Sequence, residues 1–571
     1  LFRSTGELII SDGAEVSART LGEGNGGNLT VNADSTVQVI GRSGDGRFPS
    51  ALSTQTNQGT TGDAGELNII TGQLIVSDGA VVSAGTLGEG DGGSLSVDAK
   101  STVQVIGTSA DGRFRSGLFT QTQGTGNARD VSITTGELII SDGAVVSAST
   151  FGQGDGGNLT VDASSTVKLI GTSADGRLVS RFLTQTQGKG KAGDVNIATG
   201  QLIVKDGAQV SAGTVGEGDG GNVTVNASSS VQLIGTGTLD DGEFPSGLFT
   251  EAQGTGNAGR FLKITTDKLI ISDRAQVSAR SFEAGTSAGE VNINANSIFL
   301  DNNSRITAQT AGGDKSNIRL EAGDIRLLNE SKIITDAQNT DGGNIFIDTD
   351  TLVGLGNSDI TANALKAEGD NVTIGSGGRV EINAKGIFGL EFRDRETPDN
   401  DITSTSDRGS SFNGDVILNI SQVDPTSGLN ELPGILVDAE AILANDLCGF
   451  ENNRIAGGSS FTITGKGGLP PTPEDPVINA HRTVRWRTRP RLPSTRKPLQ
   501  AQAKAFGHES RTVRPRQDKK VIIEAQGWVI AKDGTIILTA QPFNGTPVEQ
   551  ILPNLDCHAG GGNREQGTGN R

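Results

Sequence analysis

The stretch LTVNADSTVQVI at residues 29–40 alternates apolar with polar residues, first in LTVNA and then in VQV. LSVDAKSTVQVI at residues 95–106 repeats the alternation. A period of two indicates short strands with one buried side, and the intervening Gly, Asp, Asn and Ser are turn formers that argue against helices. The pattern therefore predicts strands of about three to five residues, separated by tight turns.

These strands belong to a repeat of 64 to 67 residues, and repeats of this regularity stack so that each unit buries its apolar face on its neighbours. We divide each repeat into two coils, opening at GGNLTV (26–31) and AGELNI (64–69). Each coil should contain three strands and rise by about 4.8 Å. The predicted fold is all-β, a right-handed single-stranded parallel β-helix of about a dozen coils. The repeat is marked by TGELIISDGA at 5–14, TGQLIVSDGA at 71–80, TGELIISDGA at 135–144, TGQLIVKDGA at 199–208 and the degenerate TDKLIISDRA at 266–275.

The composition fits a thin core that extends in one direction. The chain has 571 residues with 83 Gly, no Met or Tyr and only two Trp, and its small aliphatic residues are spread evenly.

A net charge of −18 argues against nucleic acid as a partner. The sequence contains no run of about 18 apolar residues, so no transmembrane segment is predicted. Because the chain opens directly on a repeat, we expect its export signal to lie upstream.

The pattern changes along the chain. The repeat decays after residue 282 while strands and turns continue, so we predict the β-helix for residues 1–395 and a small C-terminal β region, acting as a cap, for 396–480. Residues 481–520 hold thirteen Lys or Arg against two acidic residues, which is typical of a flexible Pro-rich linker; electrostatic attachment to anionic lipid or polysaccharide is the alternative. A terminal strand pair is expected at 521–545 and a low-complexity tail at 546–571.

The acidic residues predict turns rather than catalysis. Asp12, Asp78, Asp142 and Asp206 recur at one place in every repeat, whereas a catalytic pair would be unique to one site. The loops of the GEGDGG type resemble calcium loops faintly, but glycine corners with positive φ are the preferred interpretation. No cofactor or metal site is predicted. The loop carboxylates are Glu23, Glu89, Asp91, Asp155, Glu217 and Asp219.

The histidines and cysteines lie outside the repeats. His481, His508 and His558 form no metal-ligand spacing or nucleophilic triad. Cys448 and Cys557 can form a disulfide in an oxidising compartment, although free thiols are the favoured state. We therefore expect no enzyme, with a polysaccharide lyase or hydrolase as the alternative.

An insertion recurs once per repeat, as SGDGRFPSALSTQT and its three relatives. It carries one apolar residue at its tip, and arginines at 47, 113 and 177 flank three of the tips. One hypothesis is a contact ridge along the solenoid; the other is a small hairpin that packs back on the body. The candidate ridge residues are Phe48, Phe114, Leu178 and Phe244.

The C-terminal region resembles the tail of cyanobacterial filamentous-haemagglutinin-like exoproteins, the secreted partners of two-partner secretion systems. The resemblance rests on VDPTSGLNELP at 423–433, on Cys448, on FTITGKGGLPPTP at 461–473 and on EAQGWVIAKDGTIILTAQ at 524–541. The signature residues are Gly467, Gly468, Leu469, Pro470, Pro471, Gly527 and Trp528.

The resemblance implies a secreted or cell-surface, outer-membrane-associated protein with a role in adhesion, aggregation or surface-layer formation. It also implies export through an outer-membrane two-partner secretion transporter, with cell-surface polysaccharide or other cells as partners. The family's N-terminal secretion domain has no counterpart here. A one-chain autotransporter passenger is a further alternative, but it requires C-terminal amphipathic membrane strands that we do not find.

Overall fold

The computed structural model describes residues 2–421, apart from 5, 21, 240–241, 314–315 and 367–373. Beyond residue 421 it describes only 450–451, 454–455, 459–460, 527–530 and 536–539. The chain divides into two units, Leu1–Ser427 and Gly428–Arg571.

The first unit is a parallel β-helix, as predicted. Its long-strand sheet contains one strand per coil, except that the first coil contributes two, Phe2–Ser4 and Glu7–Ile10. The strands of successive coils pair in parallel. In the described part of the chain this sheet consists of Phe2–Ser4, Glu7–Ile10, Leu29–Ile40, Leu67–Ser77, Leu95–Ile106, Val131–Ser141, Leu159–Ile170, Val195–Lys205, Val223–Ile234, Phe261–Ser272, Glu290–Asp301, Asn317–Leu328, Asn344–Leu355, Arg379–Phe388 and Asp415–Ile420.

A short-strand sheet forms another side of the coil. Its strands are mostly three residues long and also pair in parallel with those of neighbouring coils. They are Glu15–Ser17, Ala51–Ser53, Val81–Ser83, Gly117–Phe119, Val145–Ser147, Arg181–Leu183, Gln209–Ser211, Gly247–Ala252, Gln276–Ser281, Arg305–Gln309, Lys332–Ile334, Asp359–Thr361, Glu391–Phe392 and Asp401–Thr403. Outside the two sheets lie the strand pairs Thr236–Leu239 with Gly242–Pro245 and Ala337–Gln338 with Ala364–Leu365, and the 3₁₀ helix Ser410–Phe412.

The two coils per repeat follow the predicted division. Leu67 lies in register with Leu29 below it and with Leu95 above it, so one coil takes 38 residues and the next takes 28. The longer coil of each pair carries the insertion.

The coil differs from the prediction of three short strands. LTVNA and VQV belong to one strand, Leu29–Ile40, because the chain keeps its parallel pairing where Asp34 and Ser35 turn outward. The neighbouring strand has one residue fewer at this corner, Gly72, whose Cβ would lie 2.4 Å from the Ser35 carbonyl oxygen. Gly136 and Gly200 lie equally close to a serine carbonyl oxygen, so glycine at these three places allows the close approach where the register shifts.

The third side of the coil is a column of single bridges rather than a strand. Thr56, Thr86, Thr122, Thr150 and Thr186 pair with one another in sequence, and the column continues to Thr214. All six are buried, and the Thr122 hydroxyl donates to the Thr150 hydroxyl at 3.0 Å. From Thr56 to Thr214, one threonine per coil thus takes the place of the third predicted strand.

The core is a set of aliphatic columns, as the alternation predicted. Val97 is buried and lies in register between Ile69 and Ile133, while its neighbour Asp98 is exposed. A fully buried side chain of this type stabilises the fold by about 1.5–3 kcal/mol. The β-helix continues to Ile420, beyond the predicted limit at residue 395, because Asp415–Ile420 pairs with Arg379–Phe388.

The loop glycines do not adopt the positive φ that we predicted. Among the described residues, no glycine at 22–27, 88–93, 152–157 or 216–221 has positive φ. These glycines instead stack in columns. A Cβ on Gly90 would lie 2.3 Å from the Gly62 carbonyl oxygen, and one on Gly193 would lie 2.0 Å from that of Gly157. Successive loops approach so closely that no side chain fits between them.

The second unit is described only through short strands. Phe450–Glu451, Arg454–Ile455 and Ser459–Ser460 form one antiparallel sheet, and Gly527–Ile530 pairs antiparallel with Ile536–Thr539. The latter pair falls within the predicted range 521–545.

Candidate functional site

The insertions are small hairpins on alternate coils. Ser43 N donates to Phe48 O at 2.7 Å, and the same contact joins Ser109 N to Phe114 O. The third insertion is closed by an antiparallel bridge between Thr172 and Val179, and the fourth by the pair Thr236–Leu239 and Gly242–Pro245. The insertions are therefore hairpins, as in the second of the two alternatives stated for them.

A buried serine ties each hairpin to the coil below it. Ser50 Oγ accepts from Gly13 N at 3.0 Å and Ser116 Oγ accepts from Gly79 N at 2.9 Å. Ser180 and Ser246 make the same contact. This role of the serine is not among the predictions made from the sequence, although the serine follows the tip by two residues in all four insertions.

Consecutive hairpins also contact one another. The Arg42 guanidinium lies over the Phe114 ring at 3.9 Å, and Arg115 Nη1 donates to Val179 O. The first three hairpins therefore contact one another in sequence along the solenoid. We call these three and the fourth hairpin the hairpin row and define it as residues 42–49, 108–115, 172–179 and 236–245.

The tips of the hairpin row differ in exposure. Phe48 is 63% exposed and Phe114 is 41% exposed, whereas Leu178 and Phe244 are half-buried. Large apolar side chains that are exposed to solvent favour contact with another surface. The row presents its most exposed apolar tips in the first two hairpins.

The repeated aspartates are turn residues. Asp12, Asp78, Asp142 and Asp206 adopt φ of 56° to 57°, and each precedes a glycine with positive φ. Asp12 also accepts from Ser11 Oγ at 2.9 Å. Asp tolerates this left-handed conformation better than most residues.

The loop carboxylates join neighbouring coils. Asp91 Oδ1 accepts from Asn127 N at 2.8 Å, and Asp155 Oδ1 accepts from Lys191 N at 2.7 Å. Asp219 Oδ1 accepts from Asn257 N in the same way. We call these contacts the Asp/Asn ladder. In the described residues, no three His, Cys, Asp or Glu side chains form a group suited to a metal ion.

A non-repeated charged network lies near the end of the β-helix, where sequence analysis found no candidate. Lys332 Nζ lies 2.8 Å from Asp359 and 3.7 Å from Glu396, and Asp401 pairs with Arg393. Asp359 and Asp401 are buried. In the degenerate coils the sequence does not repeat, so a residue that occurs only once cannot be recognised as unusual. The sequence therefore gave no signal for this network.

Asp336 belongs to the same network. Burial raises its pKa to about 7, and the charge of Glu396 acts in the same direction. Asp336 Oδ1 accepts from Asn363 N at 2.7 Å, and Asn363 Nδ2 donates to Glu396. A raised carboxyl pKa is also a property of general acids. Here, however, the neighbouring carboxylates all form ion pairs or hydrogen bonds with other side chains of the protein. Such pairing is typical of a structural network, and this one holds the 389–400 loop.

The remaining predicted site residues divide into two groups. Gly527 and Trp528 lie in a strand, paired with Thr539 and Leu538. The rest fall outside the described residues, namely Gly467, Gly468, Leu469, Pro470, Pro471, Cys448, Cys557, His481, His508 and His558.

No family model, curated protein or solved structure matches the chain. The resemblance to filamentous-haemagglutinin-like exoproteins therefore stays a prediction from the quoted motifs. In the described part of the chain, no helix has the length and apolar character of a bilayer crossing.

Proposed function

We propose that this protein is a secreted or cell-surface structural exoprotein of the filamentous-haemagglutinin type, without enzymatic activity, that mediates adhesion or aggregation through its hairpin row. The observation that carries the proposal is the exposure of Phe48 and Phe114 at the tips of hairpins anchored on a parallel β-helix. A stack of coils with continuous hydrogen bonding keeps such tips in fixed relative positions.

The chemistry of the tips supports a protein or glycan partner. Each exposed aromatic residue follows an exposed arginine in sequence, Arg47 before Phe48 and Arg113 before Phe114, and Arg42 lies over the Phe114 ring. The row therefore presents apolar area and positive charge together. The surrounding chain is acidic. We further propose export through an outer-membrane two-partner secretion transporter, with cell-surface polysaccharide or other cells as the contacted surface.

The test is adhesion by intact cells that express the tip variant Phe48→Ser, Phe114→Ser, Leu178→Ser and Phe244→Ser. Phe282→Ser with Phe388→Ser is the matched control, because both rings are exposed outside the hairpin row. We expect the tip variant to lose adhesion while the control retains it. Protease treatment of whole cells measures surface exposure in parallel, and a protein that stays protected inside the cell would contradict the proposal.

A further inference from the structure

A groove of about 430 Å³ lies between the second and third hairpins and the outer surface of the short-strand sheet. Phe114 and Leu178 from the hairpins line it, together with Phe119 and Leu183 from the strands. This volume falls within the range of small-molecule sites.

The charged residues of this groove are all cationic. Arg42, Arg113, Arg115 and Arg181 line it, and none of its described lining residues is acidic, although the chain as a whole carries −18. The nearby hairpin carboxylates are Asp111 and Asp175, and each accepts from the serine two residues before it. The groove is therefore a concentrated positive site on an acidic protein.

Two of these arginines lack an anionic partner. Arg115 Nη1 donates to the carbonyl oxygens of Gly143, at 3.1 Å, and Val179. Arg181 Nε is buried and has no hydrogen-bond partner in the described structure. Burial lowers the pKa of Arg115 to about 10, and the charge of Arg181 acts in the same direction. Two partly desolvated guanidinium groups without a carboxylate are unfavourable unless an anion joins them.

Both arginines also depart from the repeat. The residue equivalent to Arg115 is Pro49, Val179 or Pro245 in the other hairpins. The residue equivalent to Arg181 is Ala51, Gly117 or Gly247. A structural residue is copied with its turn or strand, whereas a pair that occurs once along the solenoid marks one particular place.

We propose that this groove binds a carboxylate-bearing sugar residue of an acidic polysaccharide, with Arg115 and Arg181 on the carboxylate and Phe114 and Phe119 against the sugar ring. Planar guanidinium groups match the two oxygens of a carboxylate, and aromatic rings cover the apolar face of a sugar. The inference rests on the proposed surface role, for which it specifies the partner.

The experiment is calorimetric titration of the full chain with oligogalacturonate and with an alginate oligomer, both of which are uronate chains. The test variant is Arg115→Val with Arg181→Gly, since Val179, Gly117 and Gly247 show that the equivalent positions accept these residues. Lys263→Gln with Lys268→Gln is the charge-matched control, because both lysines are exposed on the long-strand sheet.

We expect the wild type and the control to bind a uronate oligomer and the double variant to bind at least about tenfold more weakly, the loss of one charge-assisted hydrogen bond. A circular-dichroism melt verifies that the variant is folded. Methyl esterification of the oligomer should abolish binding. Equal binding by the variant and the wild type, or binding to neither uronate oligomer, would overturn the inference.

Two further probes define the ligand class. A sulfated oligosaccharide without uronate that binds equally well would overturn the carboxylate assignment, and polyglutamate that binds equally well would overturn the sugar assignment. The proposed function fails separately. If the groove does not bind uronate but the protein mediates adhesion at the cell surface, only this inference is wrong. If the protein binds uronate but is found inside the cell, the proposed function is wrong instead.

Discussion

At the scale of single residues, the fold depends on which side of a strand each side chain occupies. Val97 is buried between Ile69 and Ile133, and Asp98 next to it is exposed. An ionised carboxylate in the Val97 position would find only aliphatic partners in its column.

Val97→Asp should therefore lower the free energy of unfolding by about 3 kcal/mol or more. The control is Ser132→Asp, at an exposed position one coil above, which should change it by less than about 0.5 kcal/mol. Urea denaturation measures both. Similar values for the two variants would contradict the inward assignment of Val97.

Asp336 predicts a pH dependence of stability. Its folded pKa is raised to about 7 by burial, whereas an unfolded aspartate ionises near about 4. Between these values the folded chain holds a proton that the unfolded chain has lost, so stability falls as the pH rises from about 4 to 7 and is level above that window.

We expect the wild type to lose stability relative to Asp336→Asn across this window, by up to about 1.4 kcal/mol per pH unit. Thermal melts of both proteins from pH 4 to 8 measure the difference, and Lys332 and Glu396 are common to both. A difference that does not vary with pH would show that Asp336 is not the titrating group.

At the scale of elements, the repeat predicted the coil well because alternation and turn residues are local signals. The two coils per repeat, the inward columns and the aspartate turns all follow from residues close in sequence. The merged long strand, the threonine column and the serine anchors did not, because they depend on residues a full coil away. Arg115 and Arg181 carried a visible signal, their departure from the repeat, but their shared groove exists only after folding.

The Asp/Asn ladder gives Asp91, Asp155 and Asp219 a structural role at the element scale, since each accepts a backbone hydrogen bond from a neighbouring coil. Asp155→Ala should destabilise the protein by about 1 kcal/mol, because Lys191 N loses its acceptor. Asp155→Asn retains the acceptor oxygen and should be nearly neutral. Denaturant titrations compare the two; equal destabilisation would indicate that the carboxylate charge, rather than the hydrogen bond, is required.

At the scale of the whole molecule, the β-helix unites these features by placing equivalent residues of successive coils next to one another. The hairpin row, the Asp/Asn ladder and the groove are consequences of that stacking. The ladder joins residues of adjacent coils, such as Asp155 and Lys191, 36 residues apart. The hairpin row and the groove join residues two coils apart, such as Arg115 and Val179, 64 residues apart. A different register would separate all three.

The most direct test of this register is a disulfide between adjacent coils, in a background with Cys448→Ser and Cys557→Ser. Ser132 and Thr160 are paired and exposed, and paired strands place Cα atoms about 4.8 Å apart, within disulfide range. Oxidation should link Ser132→Cys to Thr160→Cys but leave Ser132→Cys with Asp162→Cys unlinked, because the offset pair is more than about 7 Å apart. Linkage of the offset pair alone, or of neither pair, would contradict the stacked β-helix.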